Sequence, residues 1–137
     1  MKARITLLIA TMMIALTASA MPYTDARGKA LFLSDKMAYE LNLTASQYEA
    51  AYNINLDYLL NVDDESDLQG YIWENRNNDL KEVLSGSQYD KYLNCEWFYH
   101  PFTFNDNGWT LAVYDHYKDG QFFMGQTDTT RYLGQAD

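Results

Sequence analysis

The sequence predicts an α+β domain in which about four helices precede a small antiparallel β-meander. Three observations support this class. Apolar residues recur at three- and four-residue spacing over residues 34–98, large and small residues alternate after His100, and turns that contain glycine flank the alternating stretch. A chain of 137 residues that loses a leader is long enough for one domain and too short for two.

Residues 1–20 have the pattern of a secretory signal peptide. Lys2 and Arg4 precede a mostly apolar run over residues 5–16, and small residues at positions 18–20 form a cleavage site. The run is shorter than the about 20 apolar residues that a membrane-spanning helix needs. We therefore expect an exported protein of the periplasm or extracellular space of a Gram-negative cell, with no membrane span after cleavage.

The first two helices follow an N-terminal segment at residues 21–33. The first helix should occupy residues 34–42, with the hydroxyl of Ser34 as its cap. The second should occupy residues 44–60, because its apolar residues recur on one face. The core positions of that face are Tyr48, Ala51, Tyr52, Leu56 and Leu59.

The third and fourth helices should occupy residues 68–84 and 85–98. Trp73 and Leu80 are the expected core anchors of the third helix, and Arg76 falls near the same side. The two helices therefore complete a helical half of the domain.

Pro101 ends the helical half, since the residue before a proline is pushed out of helical geometry. The meander should follow at residues 102–124, and the whole domain should cover residues 34–125. Its expected strands are residues 102–105, 109–116 and 121–124, joined by turns at residues 106–108 and 118–120. Residues 126–137 are expected to form a C-terminal tail.

Two segments at a spacing of 41 residues share a helix-capping pattern. In each, a hydroxyl residue is followed three positions later by glutamine, which predicts a capping box. The hydroxyl accepts a hydrogen bond from the glutamine backbone, and the glutamine amide reaches back to the N–H of the cap. The matching residues are Leu43, Thr44 and Gln47 in the first segment and Leu84, Ser85 and Gln88 in the second.

Both capped segments resemble the repeated Leu-Thr-x-x-Gln motif of periplasmic stress proteins of the Spy and CpxP type. The resemblance covers the helical half alone, and it implies a small exported helical protein that binds unfolded polypeptides without ATP. The client surface of that family is basic, whereas this chain is acidic. The chain is also similar to small exported proteins of unassigned function in Bacteroidetes-type bacteria, through a Trp-x-x-Arg-Asn segment at Trp73, Arg76 and Asn77.

The acidic charge restricts the classes of partner. The leader holds two of the ten basic residues and none of the 19 acidic ones, so the remaining chain has a formal net charge of 8 − 19 = −11. Such a surface repels phosphate backbones and anionic lipids, which argues against nucleic-acid binding and favours a cationic partner. Solubility of an exported protein is the alternative explanation of the same charge.

The sequence predicts no cofactor, metal centre or catalytic site. Asp63, Glu65 and Asp67 follow the spacing of a calcium-binding EF-hand loop, but Leu68 stands where that loop needs glycine. Weak binding of a divalent cation by these acids stays open. Cys95 is the single cysteine, so it cannot form a disulfide within the chain. We expect it to be buried as a small apolar residue, with an intermolecular disulfide as the alternative. The absence of a nucleophile motif argues against an enzyme.

Aromatic residues are more abundant than a core of this size needs, with twelve Tyr, six Phe and three Trp. Tyr99, Tyr114 and Tyr117 are the expected partner surface, because tyrosine is enriched at binding surfaces. The leading function is therefore non-catalytic binding of a protein or an unfolded polypeptide by a chaperone-like periplasmic factor. The alternative is a structural or adhesion module of the cell envelope that hides its apolar surface in a homodimer or against one fixed partner.

Overall fold

The computed structural model describes residues 21–105, 108–118 and 122. In these ranges the chain forms six α-helices, one 3-10 helix and a two-stranded antiparallel sheet, which fits the α+β class. The helices are α1 (Tyr23–Leu41), α2 (Ala45–Asn61), the 3-10 helix (Glu65–Leu68), α3 (Tyr71–Val83), α4 (Gly86–Leu93), α5 (Glu96–Tyr99) and α6 (Ala112–His116). The strands are β1 (Phe102–Asn105) and β2 (Gly108–Leu111).

Helix α1 begins at Tyr23, so the predicted start of the first helix at residue 34 and the predicted cap at Ser34 are wrong. Ser34 is fully buried inside the helix, where its Oγ accepts a hydrogen bond of 2.9 Å from Asn55 Nδ2. Ala26 and Ala30 extend the buried face upstream, and the helix starts after Pro22. Tertiary burial over this longer face, rather than a local cap, decides where the helix begins.

The second helix is confirmed, whereas the third begins later than predicted. Leu68 belongs to the 3-10 helix, and α3 starts at Tyr71. Asp64 accepts a hydrogen bond from Ser66 N, and Asp67 accepts one from Asp64 N, so the acidic residues cap a separate short helix.

The predicted helix at residues 85–98 is divided into α4 and α5. Backbone bonds from Asn94 N to Lys91 O and from Cys95 N to Tyr92 O tighten the end of α4. Asn94 Nδ2 also donates to Asp90 O at 2.9 Å, which satisfies one of the carbonyls left free at a helix C-terminus. The helix therefore ends before Cys95, and a new turn begins at Glu96.

In the part of the chain that the structure describes, the sheet is a hairpin of two strands, and residues 112–116 are helical where we expected a strand. Phe102 pairs with Leu111 at the end of the ladder. Pro101 has no N–H to continue the ladder, and its carbonyl instead accepts from Ala112 N at 2.8 Å. Gly108 enters β2 with a φ of 94°, which suits glycine.

Several predicted segments lie outside the described residues. The signal peptide at residues 1–20 and the tail at residues 126–137 are among them. Of the predicted third strand at residues 121–124, the structure describes Phe122 alone, which is not in a strand.

The core lies between α1, α2 and the shorter helices. Helices α1 and α2 pack along each other, and α3 packs on α2. The hairpin joins this body through Phe102 and Leu111, and α6 joins it through Val113; all three side chains are buried. Fully buried side chains at the centre of the body are Leu33, Met37, Tyr58, Leu59, Leu80, Tyr92 and Phe98.

Candidate functional site

The two predicted capping boxes are both present, and they contact each other. Thr44 Oγ1 accepts from Gln47 N at 3.1 Å, and Ser85 Oγ accepts from Gln88 N at 3.2 Å. The amide oxygens of Gln47 and Gln88 accept from the N–H of their own caps. Gln47 Nε2 also donates to Gln88 Oε1 at 2.7 Å, and Gln88 Nε2 lies 3.1 Å from Gln47 Oε1. We call this arrangement the glutamine pair.

The glutamine pair also holds the ends of two other helices. Gln47 Nε2 donates to Val83 O at the end of α3, and Gln88 Nε2 donates to Leu41 O at the end of α1. Gln47 thus caps the start of α2 and the end of α3. Gln88 caps the start of α4 and the end of α1. The polar groups of both amides are satisfied within the protein, so this motif has a structural role.

Leu43 and Leu84, which precede the two caps, differ in burial. Leu84 is buried in the core, whereas Leu43 is half-buried and packs against it. Both contribute apolar contact next to the glutamine pair.

The three tyrosines of the predicted partner surface have different environments. Tyr99 packs against Trp73 and Tyr92, with ring centroids 4.8 and 5.8 Å apart, and is half-buried. Tyr117 is also half-buried, and its hydroxyl accepts from Trp97 Nε1 at 3.3 Å. Tyr114 is 44% exposed. Of the three, Tyr114 has the side chain most available to a partner.

Tyr114 belongs to an aromatic surface at the hairpin, which we call the hairpin surface and define as Phe104, Trp109 and Tyr114. Phe104 is 47% exposed, and its ring lies 4.8 Å from that of the half-buried Trp109. Trp109 stacks on Phe102 at 5.0 Å, and Tyr114 stacks on Phe32 at 4.7 Å. Tyr114 therefore rests on the buried ring of Phe32. Phe104 rests on the half-buried ring of Trp109, which stacks on a buried phenylalanine.

A cleft of about 350 Å³ adjoins the hairpin surface. Trp109 and Tyr114 supply aromatic walls, while Lys29 and Asp115 bring one charge of each sign. A volume of this size is near the lower end of the range of about 300–1,000 Å³ for small-molecule sites and can hold a large side chain.

A second polar cluster, centred on Arg76, lies inside the helical body. Arg76 is 2% exposed, and its Nε donates to Asn55 Oδ1 at 2.9 Å. Its Nη1 donates to Tyr92 Oη at 2.8 Å and to the carbonyl of Phe98 at 3.0 Å. The Tyr92 hydroxyl in turn donates to Asn77 Oδ1. These residues, which we call the arginine cluster, connect α2, α3, α4 and α5.

The guanidinium of Arg76 is not fully satisfied. Its Cζ lies 5.4 Å from the ring centroid of Tyr58 and 5.6 Å from that of Tyr92, which are cation–π distances. No carboxylate of the described residues forms an ion pair with it. Nη2 is buried and has no hydrogen-bond partner among the described residues.

Burial controls the ionisation of the tyrosines in this cluster. It raises the pKa of Tyr58 to about 12 and the pKa of Tyr92 to about 12, although the nearby charge of Arg76 acts in the opposite direction. Both hydroxyls are therefore protonated at neutral pH, and Tyr92 can donate to Asn77 while it accepts from Arg76.

Cys95 and His100 are five residues apart in the chain and have separate environments. Cys95 is 8% exposed at the start of α5, as expected, and burial raises the pKa of its thiol. His100 stacks on Trp73 with ring centroids 5.1 Å apart, and its Nε2 lies 3.6 Å from Glu96 Oε1. A protonated, buried thiol is a poor nucleophile.

The acidic residues before α3 serve the local backbone. Asp64 accepts from the N–H and the hydroxyl of Ser66, which holds the pKa of its carboxyl below the usual value. Asp67 accepts from Asp63 N at 2.9 Å, and Glu65 is exposed. Among the residues that the structure describes, no group of three or more His, Cys, Asp or Glu is placed to hold a metal ion.

Arg76 shows what sequence reasoning found and what it missed. The helical spacing placed Arg76 near the buried side of its helix, next to Trp73 and Leu80. It did not identify Asn55, Tyr92 or the carbonyl of Phe98 as partners, because these lie 16 to 22 residues away in the chain. The sequence signal for this cluster is the position of one charged residue, Arg76, on an otherwise apolar face of its helix.

Within the described residues, no helix is both long and apolar enough to cross a membrane. Comparison of the chain with protein-family models, curated proteins and solved structures gave no match.

Proposed function

We propose that this protein is an exported, non-catalytic protein-binding domain that contacts its partner through the hairpin surface. The observation that carries the proposal is the packing of Phe104, Trp109 and Tyr114, whose rings are partly or largely exposed and each lie against another aromatic ring. Aromatic side chains held in this way lose little conformational freedom on binding, so most of their contact energy is available for affinity.

The charge of the protein favours one kind of partner. The chain has a formal net charge of −9 with its leader and −11 without it (8 − 19), which attracts basic polypeptides and repels nucleic acids. The cleft beside the hairpin surface combines aromatic walls with Asp115, whose carboxylate suits a basic residue of the partner, and with Lys29, which suits an acidic one. The preferred ligand is thus an extended polypeptide with apolar and basic side chains.

Two forms of this function fit the hairpin surface. The first is a chaperone-like periplasmic factor that holds unfolded polypeptides, which agrees with the resemblance of the two capped segments to stress proteins of the Spy and CpxP type. The second is a structural or adhesion module of the envelope with one fixed partner, which includes a second copy of the chain. A chaperone exposes its apolar surface when alone, whereas a fixed module covers it.

The test is suppression of aggregation of a chemically unfolded client, followed by light scattering at low and moderate salt with purified residues 21–137. We expect suppression at near-stoichiometric protein and a clear loss of suppression in the variant Phe104→Ser. The matched control is Leu93→Ser, which removes another exposed apolar side chain on α4. The control variant should suppress scattering as well as the original protein does.

Sedimentation of the same samples separates the two forms of the function. A monomer that binds the client supports the chaperone form. A stable homodimer that Phe104→Ser dissociates supports the fixed module. Equal suppression by both variants, or no binding in either assay, would overturn the assignment of the contact to the hairpin surface.

A further inference from the structure

The cleft beside the hairpin surface has a mixed aromatic and polar lining. Its aromatic side chains are Trp109 and Tyr114, and the buried Leu111 adds an apolar one. The polar residues of the lining are Lys29, Asn105, Thr110 and Asp115. A ligand that fits this cleft must therefore offer both hydrogen-bonding groups and an apolar face.

The two aromatic side chains of the cleft are held by rings outside it. Trp109 stacks on Phe102 with ring centroids 5.0 Å apart, and Tyr114 stacks on Phe32 at 4.7 Å. Phe102 and Phe32 are each 3% exposed and do not line the cleft. Because these contacts order Trp109 and Tyr114 before binding, a ligand that packs on them loses little affinity to side-chain ordering.

The charges in the cleft are balanced, unlike those of the whole chain. Lys29 and Asp115 contribute one charge of each sign, whereas the chain has a formal net charge of −9. Among the residues that the structure describes, neither of them forms an ion pair. A small anion is repelled by Asp115 and by the net charge of the chain, and a small cation is repelled by Lys29. The cleft therefore favours a small ligand without charge.

Hydroxyl groups match the polar side chains of the cleft. A hydroxyl donates to a carboxylate such as Asp115 and accepts from an ammonium group such as Lys29, so one neutral ligand serves both. A purely apolar ligand would instead remove water from both charges without replacing its hydrogen bonds. A sugar ring also has an apolar face of C–H groups, which packs on the electron-rich face of an aromatic ring. A sugar thus offers a partner to the polar and to the aromatic side chains.

We propose that this cleft binds a neutral pyranose sugar. The C–H face of the sugar packs on Trp109 and Tyr114, and its hydroxyl groups contact Lys29 and Asp115. The volume of about 350 Å³ suits a small saccharide rather than a long glycan. This inference goes beyond the proposed polypeptide contact, and the two ligands should compete because both use Trp109 and Tyr114.

Isothermal titration calorimetry of residues 21–137 with small sugars tests the proposal. The neutral probes are the methyl glycosides of glucose, galactose and mannose. Each has a uronic acid counterpart that carries a carboxylate, and sorbitol has hydroxyl groups but no ring. We expect at least one glycoside to bind in the millimolar range, and its uronic acid and sorbitol to bind at least about fivefold more weakly. No heat from any glycoside at about 50 mM, or equal binding of the uronic acid or of sorbitol, would overturn the proposal.

Two variants of the cleft test the contacts of the sugar. We expect Asp115→Ala to weaken binding of the glycoside at least about fivefold, because a hydrogen bond to a carboxylate is lost. Asp90→Ala removes the same charge at an exposed position outside the cleft and should leave binding unchanged. Tyr114→Ser should also weaken binding, because it removes an aromatic wall. Equal losses in the two aspartate variants, or unchanged binding in Tyr114→Ser, would contradict the assignment.

Phe104→Ser separates this proposal from the proposed function. Phe104 belongs to the hairpin surface but does not line the cleft. The variant should therefore bind the glycoside as the original protein does while it binds client polypeptides less well. Binding of a glycoside without binding of a client supports the sugar site and overturns the proposed function. Binding of a client without binding of any glycoside overturns the sugar site alone.

Discussion

The helical body and the hairpin end arrange polar and apolar groups in opposite ways. In the body, Arg76, Asn55 and Asn77 are buried and joined by hydrogen bonds. At the hairpin end, Phe104 and Tyr114 expose large aromatic rings to solvent. Proteins usually bury aromatic side chains and expose polar ones. These residues of the body and of the hairpin end do the reverse.

This difference assigns the two regions different tasks. Buried hydrogen bonds between helices fix their relative positions, because a shifted helix would leave polar groups without partners. Exposed aromatic rings contribute less to the stability of the domain than buried ones but offer contact area to another molecule. The body determines the shape of the protein, and the hairpin surface is available for a partner.

The largest expected effect on stability comes from Arg76→Leu. The change removes the donor to Asn55, Tyr92 and Phe98 O and leaves three buried acceptors unpaired. Each unpaired acceptor costs about 1–3 kcal/mol, so we expect the free energy of unfolding to fall by at least about 3 kcal/mol. Urea titrations followed by circular dichroism measure this change. Lys81→Leu, on the exposed side of the same helix, should change it by less than about 0.5 kcal/mol. Similar losses in both variants would contradict a structural role of the arginine cluster.

The glutamine pair should give the next largest effect, in a double-mutant cycle of Gln47→Ala and Gln88→Ala. Each change removes a capping contact and a bond to the other glutamine, so each should cost about 2 kcal/mol. Because the two side chains touch, the sum of the single costs should exceed the cost of the double variant by about 1 kcal/mol. Gln69→Ala, at an exposed position, serves as the control. Strictly additive costs would mean that the two caps act separately.

Stability should also fall at high pH because of the buried tyrosines. Burial raises the pKa of Tyr58 and of Tyr92 to about 12, above the value of about 10 in an unfolded chain. Their contribution to stability is therefore complete below pH 10 and is lost as the pH rises through 12. Urea titrations at several pH values should show this fall, and Tyr92→Phe should make it less steep. A free energy of unfolding that stays constant between pH 10 and 12 would contradict the burial of these hydroxyls.

The smallest effect on stability is expected at the hairpin surface. Phe104 is 47% exposed, so Phe104→Ser should change the free energy of unfolding by no more than about 0.5 kcal/mol. The same variant should bind client polypeptides clearly less well in fluorescence anisotropy. A large loss of stability without a loss of binding would assign Phe104 to the fold instead of the partner contact.

The two capped segments could be predicted from sequence because a capping box depends on residues three positions apart. Thr44 with Gln47 and Ser85 with Gln88 form the predicted bonds. The contact between the two glutamines was not predictable in this way, because it depends on how α2 and α4 pack.

Other features depend on packing that local patterns do not contain. The start of α1 at Tyr23 reflects a long buried face, and the helix after Leu111 reflects the missing N–H of Pro101 at the end of the sheet ladder. The arginine cluster likewise joins residues from four helices. Its sequence signal was the position of Arg76 near the apolar side of α3, which indicated burial but no partners.

The indole N–H signals of the three tryptophans provide the most direct test of the hairpin surface as the contact site. Trp73 and Trp97 donate to Tyr99 O and Tyr117 Oη, whereas Trp109 belongs to the hairpin surface. In proton–nitrogen spectra, addition of an unfolded basic client should shift the Trp109 signal and leave the other two in place, with Trp109→Phe providing the assignment. Shifts of the Trp73 and Trp97 signals with an unchanged Trp109 signal would contradict the account.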